Sequence, residues 1–375
     1  MSTYDVIVLG TGGVGSAAAF HLAQRGAKVL GLDRFPGGHA NGSSHGETRI
    51  IRKAYFEHSD YVPLLNRAYE LWSDLEQRSS EQLYHEVGLI EVGPPDGVVV
   101  PGVLASAQQH QLHVEELTKR DVAERFPAFN VPEGSVAVFE PRAGYLLVER
   151  CVLAHLAEAA KCGAELRTGE SILAWEANGS GVTVRTDKNS YSAEKLVITA
   201  GAWAKDLLVE LGIKLRVLRK HLHWYACDDA CYRADHGCPA FFYETPAGYF
   251  YGFPQIDEQG VKVADHSGGT EISDPLADDK ATEPRDVQRV EQFLREHLPS
   301  VSTKPQRHAV CYYTMSPDEH FIVDRHPDHA NVAFAAGLSG HGFKFTGVLA
   351  EVLADLTLNG ATEQPIDFLG CSRDS

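Results

Sequence analysis

Positive charge is scarce in this sequence. Its 34 lysine and arginine residues are outnumbered by 51 aspartate and glutamate residues, which gives a formal net charge of −17. An acidic surface disfavours nucleic acid and anionic membranes, so neither is expected as a partner. The net charge says little about a buried site, where the local charge can have the opposite sign.

Long apolar runs are also missing. No run approaches the roughly 18 residues that indicate a membrane span. The N-terminus lacks the basic and apolar segments of a signal peptide, and the C-terminal residues 371–375 are not a peroxisomal address. These absences predict a cytoplasmic protein.

Cysteine usage does not suggest a disulfide framework. The sequence has seven cysteines, an odd number, and their spacing is scattered. Cys227, Cys231, His236 and Cys238 form a loose cluster, but the spacing is irregular and the second paired half of a zinc site is absent. The sequence therefore predicts neither disulfides nor a bound metal.

The remaining composition is that of a soluble globular protein with more than one core. Its 375 residues are 43% hydrophobic and 23% charged. Apolar periodicity predicts helices over 61–77, 149–161, 285–297 and 347–358, and short apolar runs predict strands at 6–9, 28–32, 181–185, 196–198 and 332–336. Residues 85–145 and 216–320 look like strands with turns.

A glycine turn follows the first predicted strand. Gly10, Gly12 and Gly15 fit the pattern G-x-G-x-x-G between a strand and a helix, and Asp33 ends the second strand. The first glycine permits the tight turn, the second lets backbone approach a pyrophosphate, and the third lets helix and strand pack closely. A carboxylate at Asp33 can accept hydrogen bonds from ribose hydroxyls and disfavours a 2′-phosphate. The pattern predicts FAD or NAD.

The C-terminal glycine loop favours FAD. Residues 337–344 contain several glycines, which allow backbone to approach a flat ring, and they lead into the last predicted helix. A helix N-terminus and Lys344 would stabilise the negative charge of a reduced flavin, which a nicotinamide does not develop. The small-residue strand end at 196–201 resembles a further crossing beneath the dinucleotide, but it is equally typical of an ordinary turn.

These patterns predict a Rossmann-type α/β fold with an added α+β part. The α/β units at the start, middle and end of the chain form one discontinuous FAD-binding domain over 1–84, 146–215 and 320–375. Residues 85–145 and 216–319 form a strand-rich substrate domain with an antiparallel or mixed sheet.

Four segments resemble the monomeric sarcosine oxidase family, which includes N-methyltryptophan oxidase and pipecolate oxidase. Besides the glycine motif with Asp33, they are the sequences Gly-Ser-Ser-His-Gly-Glu-Thr-Arg-Ile-Ile-Arg at 42–52, Cys-Tyr-Tyr-Thr-Met-Ser-Pro-Asp-Glu-His at 311–320 and Gly-His-Gly-Phe-Lys at 340–344. They occur in the family's order and near its spacing, so the resemblance spans essentially the whole chain.

The resemblance implies a role for individual residues. Cys311 would carry FAD through a thioether to the flavin 8α-methyl group, and Arg52 and Lys344 would bind the substrate carboxylate. Lys262 would assist the reaction of reduced flavin with oxygen. The remaining implied positions are catalytic (Arg49, His45, Tyr251, His266), substrate-binding (Tyr313, with Tyr55 as a further neighbour) or cofactor-binding (Gly10, Gly12, Gly15, Asp33, Arg34, Ser43, Ser44, Gly340, His341, Gly342, Lys344).

The activity that the resemblance implies is oxidation of a small secondary amino acid such as sarcosine. The amine becomes an imine, and oxygen becomes hydrogen peroxide. A bulkier or cyclic substrate (N-methyltryptophan, pipecolate or proline) stays open, because Phe242 and Tyr243 fall where family pockets vary. An electron acceptor other than oxygen also stays open. The family suggests a monomer whose partners are the amino acid and O₂.

Overall fold

The structure is a computed structural model that describes residues 4–373. The terminal residues 1–3 and 374–375, on which the predictions about targeting partly depend, lie outside this range. Within it, no helix is both long enough and apolar enough to cross a bilayer.

The first layer is an eight-stranded sheet with a parallel centre. Strand β1 (Tyr4–Leu9) pairs in parallel with β2 (Val29–Leu32) on one side and β12 (Ser190–Ile198) on the other. Residues 6–9 of β1 are fully buried, as expected for an apolar strand that is covered on both faces. The sheet is completed by β9 (Glu165–Arg167), β10 (Ile172–Asn178), β11 (Gly181–Thr186), β19 (Ile322–Arg325) and β20 (Val332–Ala336).

Helices cover one face of this sheet. Helix α1 (Gly13–Gln24) packs against α5 (Val148–Lys161) and α8 (Thr346–Leu358), and α8 also contacts α2 (Tyr61–Ser79). Small side chains at 17–19 of α1 are completely buried, which allows the helices to approach closely. The N-termini of α1 and α8 therefore lie at the same edge of the sheet, beside the carboxyl end of β1.

The second layer is a nine-stranded, mostly antiparallel sheet. Its strands are β5 (Leu89–Gly93), β6 (Glu115–Leu117), β7 (Val136–Glu140), β13 (Arg216–Tyr225), β14 (Ala240–Thr245), β15 (Gly248–Phe253), β16 (Val261–Asp265), β17 (Thr270–Ile272) and β18 (Pro305–Met315). Helix α7 (Pro284–His297) covers one face, where Phe250 and Tyr243 pack on Phe293. The opposite face carries Phe242, Tyr251 and Tyr313 in a separate apolar cluster.

A small three-stranded sheet connects the chain segments near the site. Strand β3 (Thr48–Ile51) pairs with β8 (Gly144–Leu147), which pairs with β4 (Tyr84–His85). Arg49 lies on β3, and Arg52 follows directly after it.

The predicted fold class is confirmed, and the predicted helices and strands named above agree with the structure within about two residues at their ends, except that the strand predicted at 196–198 already begins at Ser190. The interpretation of 85–145 as strands with turns is wrong in part, because this segment also contains α3 (Val99–His110) and α4 (Lys119–Arg125). Proline and glycine are typical of turns, yet Pro101 and Gly102 lie in the first turn of α3, where proline's missing N–H costs no helical hydrogen bond. A short helix, α6 (Ala204–Leu207), completes the fold. The predicted domain boundaries stay a prediction.

Candidate cofactor and substrate site

The glycine turn between β1 and α1 forms the floor of a long cleft. Gly10 has a φ of +85°, in the left-handed region that favours glycine. A Cβ atom at Gly15 would lie 1.7 Å from the Gly10 carbonyl oxygen, whereas one at Gly12 would meet no atom within 4 Å. The protein itself therefore requires Gly10 and Gly15, while Gly12 faces the open cleft and leaves room for a ligand.

Asp33 lies at the cleft wall, one residue beyond β2. Its Oδ2 accepts a hydrogen bond from the Thr11 backbone N–H at 2.7 Å, and its Oδ1 accepts one from the Phe35 backbone N–H at 2.9 Å. Oδ2 also accepts a hydrogen bond from the Thr11 hydroxyl at 3.3 Å. These bonds fix the carboxylate, and Oδ1 retains a lone pair for a further donor. The arrangement suits a ribose diol and repels a phosphate.

Four buried polar atoms around the same cleft have no hydrogen-bond partner within residues 4–373. They are Nη1 of Arg34, Nε1 of Trp203 and the hydroxyl oxygens of Thr314 and Thr346, and all four residues line the cleft. A buried group of this kind costs about 1–3 kcal/mol unless a ligand or water satisfies it. The N-cap residues of α1 and α8 provide no side-chain cap. The Gly13 N–H donates to Ser44 and the Thr346 N–H to the Phe343 carbonyl, and the N–H groups of α1 that follow Gly13 can receive an anion.

The glycine loop after β20 closes the other end of the cleft. Gly340 has a φ of +82°, and a Cβ atom there would lie 2.4 Å from the Tyr313 ring. Ser43 donates a hydrogen bond to the Tyr312 carbonyl at 2.6 Å, and Ser44 Oγ accepts one from the Gly13 backbone N–H at 3.2 Å. The cleft therefore has an acid at one end, helix N-termini in the middle and a glycine-lined slot at the other end, which fits FAD.

Arg49 joins this cleft to a second, smaller cavity, because it lines both. Its guanidinium donates to the Thr48 carbonyl at 2.8 Å and to the Ser43 carbonyl at 2.9 Å. Burial lowers its pKa, but the nearby Cys311 thiol and tyrosine hydroxyls outweigh that effect, so that the pKa is raised. Arg49 is therefore a permanent positive charge at the junction.

The smaller cavity brings Arg52 and Lys344 together. Arg52 donates from Nη1 to the Ala54 carbonyl at 2.9 Å and from Nη2 to both Glu57 oxygens at 2.9 and 2.7 Å. Lys344 donates to the His341 carbonyl at 2.7 Å, and burial together with the Arg52 charge lowers its pKa to about 7. The cavity is lined by Arg49, Ile50, Arg52, Glu57, Phe242, Tyr251, His266, Tyr313, Gly340, His341, Phe343 and Lys344.

Aromatic side chains from the nine-stranded sheet form the opposite wall. His266 Nδ1 and the Tyr313 hydroxyl are 3.2 Å apart, and the Tyr251 ring packs against His266. Burial and the Lys220 charge lower the pKa of His266 to about 3, so its imidazole is neutral at ordinary pH. This wall therefore presents an imidazole and a phenol hydroxyl to the cavity, and neither group is charged.

Three of the predicted site residues are buried behind the cavity walls. His45 has no hydrogen-bond partner for Nε2 within the described range, and burial lowers its pKa to about 3. Lys262 donates to the Gly46 and Thr48 carbonyls at 2.5 and 2.9 Å and to the Thr48 hydroxyl at 3.1 Å. Cys311 is a free, buried thiol on β18, directly before two cleft residues, Tyr312 and Tyr313.

Comparison with known proteins gives the same cofactor. Residues 5–356 match the family described as FAD dependent oxidoreductase. The chain belongs to this family of FAD-dependent oxidoreductases. The prediction of FAD rather than NAD is thereby confirmed.

Individual relatives of the oxidoreductase extend over its whole length. It is 39% identical over 380 residues to a monomeric sarcosine oxidase of Bacillus sp. (strain NS-129), covering 100% of this chain and 98% of the relative. It is 40% identical over 354 residues to an N-methyl-L-tryptophan oxidase of Yersinia pestis (strain Pestoides F), covering 94% of each. The structure of NikD, an amino acid oxidase of nikkomycin biosynthesis, is similar with a TM-score of 0.87 at 28% identity, covering 99% of this chain and 98% of that one.

The structure of the oxidoreductase adds two acidic residues that sequence reasoning missed. Glu57 pairs with Arg52 at the cavity wall, and Glu91 lies behind it, 3.6 Å from Arg52. An acid inside the apolar strand Leu-Ile-Glu-Val-Gly was the available signal for Glu91. The structure also separates Phe242, which lines the cavity, from Tyr243, which packs on α7 across the sheet.

The loose cysteine cluster does not assemble into a metal site. Cys227, Cys231 and Cys238 are free thiols, and no group of three or more potential ligands comes together between residues 4 and 373.

Replacing Gly12 tests the assignment of the cleft. Gly12→Val should fold, since open space surrounds its Cβ position, but the side chain would occupy the ligand's space. We expect flavin absorbance per chain to fall by about tenfold or more, a loss of about 1.4 kcal/mol or more in binding. Gly179→Val is the matched control, because Gly179 also has open space around it and lies in the distant β10–β11 turn. Equal flavin content in the two variants would contradict the assignment.

Proposed function

We propose that this FAD-dependent oxidoreductase is an oxidase of small secondary amino acids, with sarcosine as the first candidate substrate. The observation that carries the proposal is the pair of buried cations, Arg52 and Lys344, on the wall of a cavity that meets the cofactor cleft at Arg49. Relatives named sarcosine oxidase and N-methyltryptophan oxidase support an N-methyl amino acid.

The substrate carboxylate would bind where Glu57 now contacts Arg52. Arg52 Nη2 donates to both Glu57 oxygens, and an incoming carboxylate presents the same pair of acceptors. Lys344 provides the second cation, and the carboxylate's charge would favour its protonated form. Two fixed contacts on one carboxylate orient the rest of the molecule towards the junction at Arg49.

The amine would lie against the aromatic wall. His266 is neutral and Tyr313 keeps its hydroxyl proton, so neither side chain carries a charge. This wall can therefore contact the uncharged form of the amine and does not stabilise the protonated form. When bound, FAD supplies the acceptor for the two electrons that oxidation of the carbon–nitrogen bond releases. The product is an imine, which water hydrolyses to formaldehyde and glycine if sarcosine is the substrate.

Lys262 is proposed to assist the reaction with oxygen as a fixed charge. Its three ammonium protons are directed at protein oxygens, so it acts through its field rather than by donating to a ligand. Burial and Arg49 lower its pKa well below the ordinary value, while Glu47 opposes this effect. Its protonated form would stabilise the negative charge that develops as O₂ takes up an electron.

Cys311 is proposed to hold FAD covalently. It lies on the strand that supplies Tyr312 and Tyr313 to the cleft, and it is close enough to Arg49 to influence that residue's pKa. Cysteine sulfur is a nucleophile that can attack an activated methyl group, which is the chemistry that the thioether requires.

The oligomeric state, the location and the domain boundaries are also proposed. The relatives named monomeric sarcosine oxidase support a monomer. The cytoplasm is the proposed location, in line with the expectation from the sequence. The separation of the two large sheets supports a discontinuous FAD-binding domain with the predicted boundaries.

An amine panel tests the proposed function. We expect sarcosine to yield one hydrogen peroxide and one formaldehyde per O₂ consumed, because an imine on an N-methyl group hydrolyses to formaldehyde. Phe242 and Phe343 are bulky side chains on the cavity wall, and they leave less room for a large substrate. We therefore expect sarcosine to be oxidised faster than N-methyltryptophan or pipecolate. Reduction of an artificial dye without O₂ consumption would contradict the oxidase assignment.

Replacing Cys311 tests the covalent link. We expect Cys311→Ser to release its flavin into the supernatant on acid precipitation, because serine cannot form the thioether. The unaltered protein and Cys238→Ser, a second buried thiol outside the cleft, should keep flavin in the pellet. Flavin that stays with the Cys311→Ser pellet would refute the link.

Replacing Lys262 separates the two half-reactions. Lys262→Met keeps the length of the side chain and removes its charge. We expect stopped-flow reoxidation by O₂ to slow by about a hundredfold, with anaerobic reduction by sarcosine changed by less than about threefold. Equal slowing of both steps would show that Lys262 acts by general positioning.

A further inference from the structure

Glu91 is a buried carboxyl group that the proposed reaction does not yet use. It lies on β5 with no exposed surface, and neither of its oxygens has a hydrogen-bond partner within residues 4–373. Desolvating a carboxylate without donors is costly, so the group favours its neutral form. A residue that costs stability in this way is a candidate for a functional role.

The sheet register directs Glu91 towards the substrate cavity. In the parallel pair of β5 and β14, Glu91 is the direct neighbour of Phe242, and neighbours in register extend from the same face. Phe242 lines the cavity. Glu91 therefore lies on the cavity side of the sheet, where it has no exposed surface and is adjacent to Arg52 of the cavity wall.

Arg52 connects Glu91 to the carboxylate site. Its Nη1 is occupied by the Ala54 carbonyl and its Nη2 by Glu57, while its Nε lies 3.6 Å from Glu91 Oε1. If a substrate carboxylate takes the place of Glu57, Glu91 remains the acidic group beside Arg52. Its charge then decides how much of the guanidinium's field reaches the substrate.

Burial favours the neutral form of Glu91. The charged groups that face it are Arg52 and Lys344, which favour its ionised form, and Glu140 and Glu57, which oppose it; burial outweighs the two cations, so that the pKa of Glu91 is raised to about 8. Glu140 accepts hydrogen bonds from the Lys53 and Ala54 backbone at 2.8 and 3.0 Å. Its carboxylate is thus held by donors that Glu91 lacks.

We propose that Glu91 is a positioning residue for substrate binding: neutral, it leaves the charge of Arg52 free for the substrate carboxylate, and ionised, it competes for that charge. The inference rests on the proposed function, because it assumes that the substrate carries a carboxylate. The protonation state of Glu91 would then control the affinity for the substrate carboxylate, although Glu91 does not contact the substrate.

The sign of the pH effect follows from the raised pKa. Below about pH 8, Glu91 is protonated and carboxylate affinity is highest; above it, the added negative charge beside Arg52 weakens binding. Lys344 loses its proton over a nearby range and weakens binding in the same direction. A comparison with a variant that cannot ionise at position 91 separates the two groups.

The test uses methoxyacetate, which replaces the amine of sarcosine by an ether oxygen and is therefore neither protonated nor oxidised as an amine. Its Kd is measured by calorimetry on flavin-loaded wild type and Glu91→Gln from about pH 6 to about pH 9. We expect similar Kd values at about pH 6, and a wild-type Kd about fivefold or more above that of the variant at about pH 9. Glu91→Met, which is also neutral, should behave like Glu91→Gln and replaces it if the amide variant does not fold.

Methoxyacetamide, the uncharged counterpart, is the control ligand, and its Kd should show no such divergence. A wild-type to variant ratio that stays constant with pH for methoxyacetate would overturn the role of Glu91 and leave the proposed function standing. If methoxyacetate binds no more tightly than methoxyacetamide at about pH 6, the carboxylate site itself is refuted and the inference fails with it.

Discussion

Positive charge buried beside two connected cavities is the constraint around which this site is built. Three of the buried cations, Arg49, Lys262 and Lys344, donate mainly to backbone carbonyls, and Arg52 donates to one carbonyl and to the Glu57 carboxylate. Of these four, within residues 4–373, Arg52 alone is ion-paired, with Glu57 and Glu91. Carbonyl dipoles stabilise a cation without cancelling its charge, so the cavities remain electropositive inside a protein of net charge −17. Such a site favours anions, which are present in FAD and in an amino acid carboxylate.

Each of the two large sheets positions a different part of the site. The parallel sheet brings the glycine turn and the N-termini of α1 and α8 to one edge, where phosphates are favoured. The second sheet supplies a wall whose alternating side chains face either the cavity or α7. Strand β18 pairs along the length of β13 in this second sheet, and Cys311 and Tyr313 lie on its cavity face. Tyr313 lines both the large cleft and the smaller cavity.

Local patterns were sufficient to predict the elements that form the large cleft. The glycine motif, Asp33 and the last helix depend on residues close in sequence, so their spacing together with the predicted strands and helices indicated them. Helix α3 was missed because Pro101 and Gly102 are typical of turns unless their position in the first helical turn is known. Phe242 and Tyr243 could not be separated, since the parity of a strand is fixed only by its register with neighbours.

The acidic partners of Arg52 depend on tertiary contacts. Glu91 lies on β5 and Arg52 follows β3, so the two meet only when these segments pack together, and nothing in the local sequence specifies that approach. Burial is equally non-local: the sequence implied that His45, Lys262 and Cys311 belong to the site, but not that all three lie behind its walls.

The most direct measurement is the rate of anaerobic loss of flavin absorbance with sarcosine and with its amide, N-methylglycinamide. The two differ in the charge that Arg52 and Lys344 would bind and share the same oxidisable N-methyl group. We expect the second-order rate with sarcosine to exceed that with the amide by about a hundredfold or more, the equivalent of about 2.7 kcal/mol from charge-assisted hydrogen bonds. Equal rates would show that the buried cations do not select the substrate and would contradict the assignment of the site.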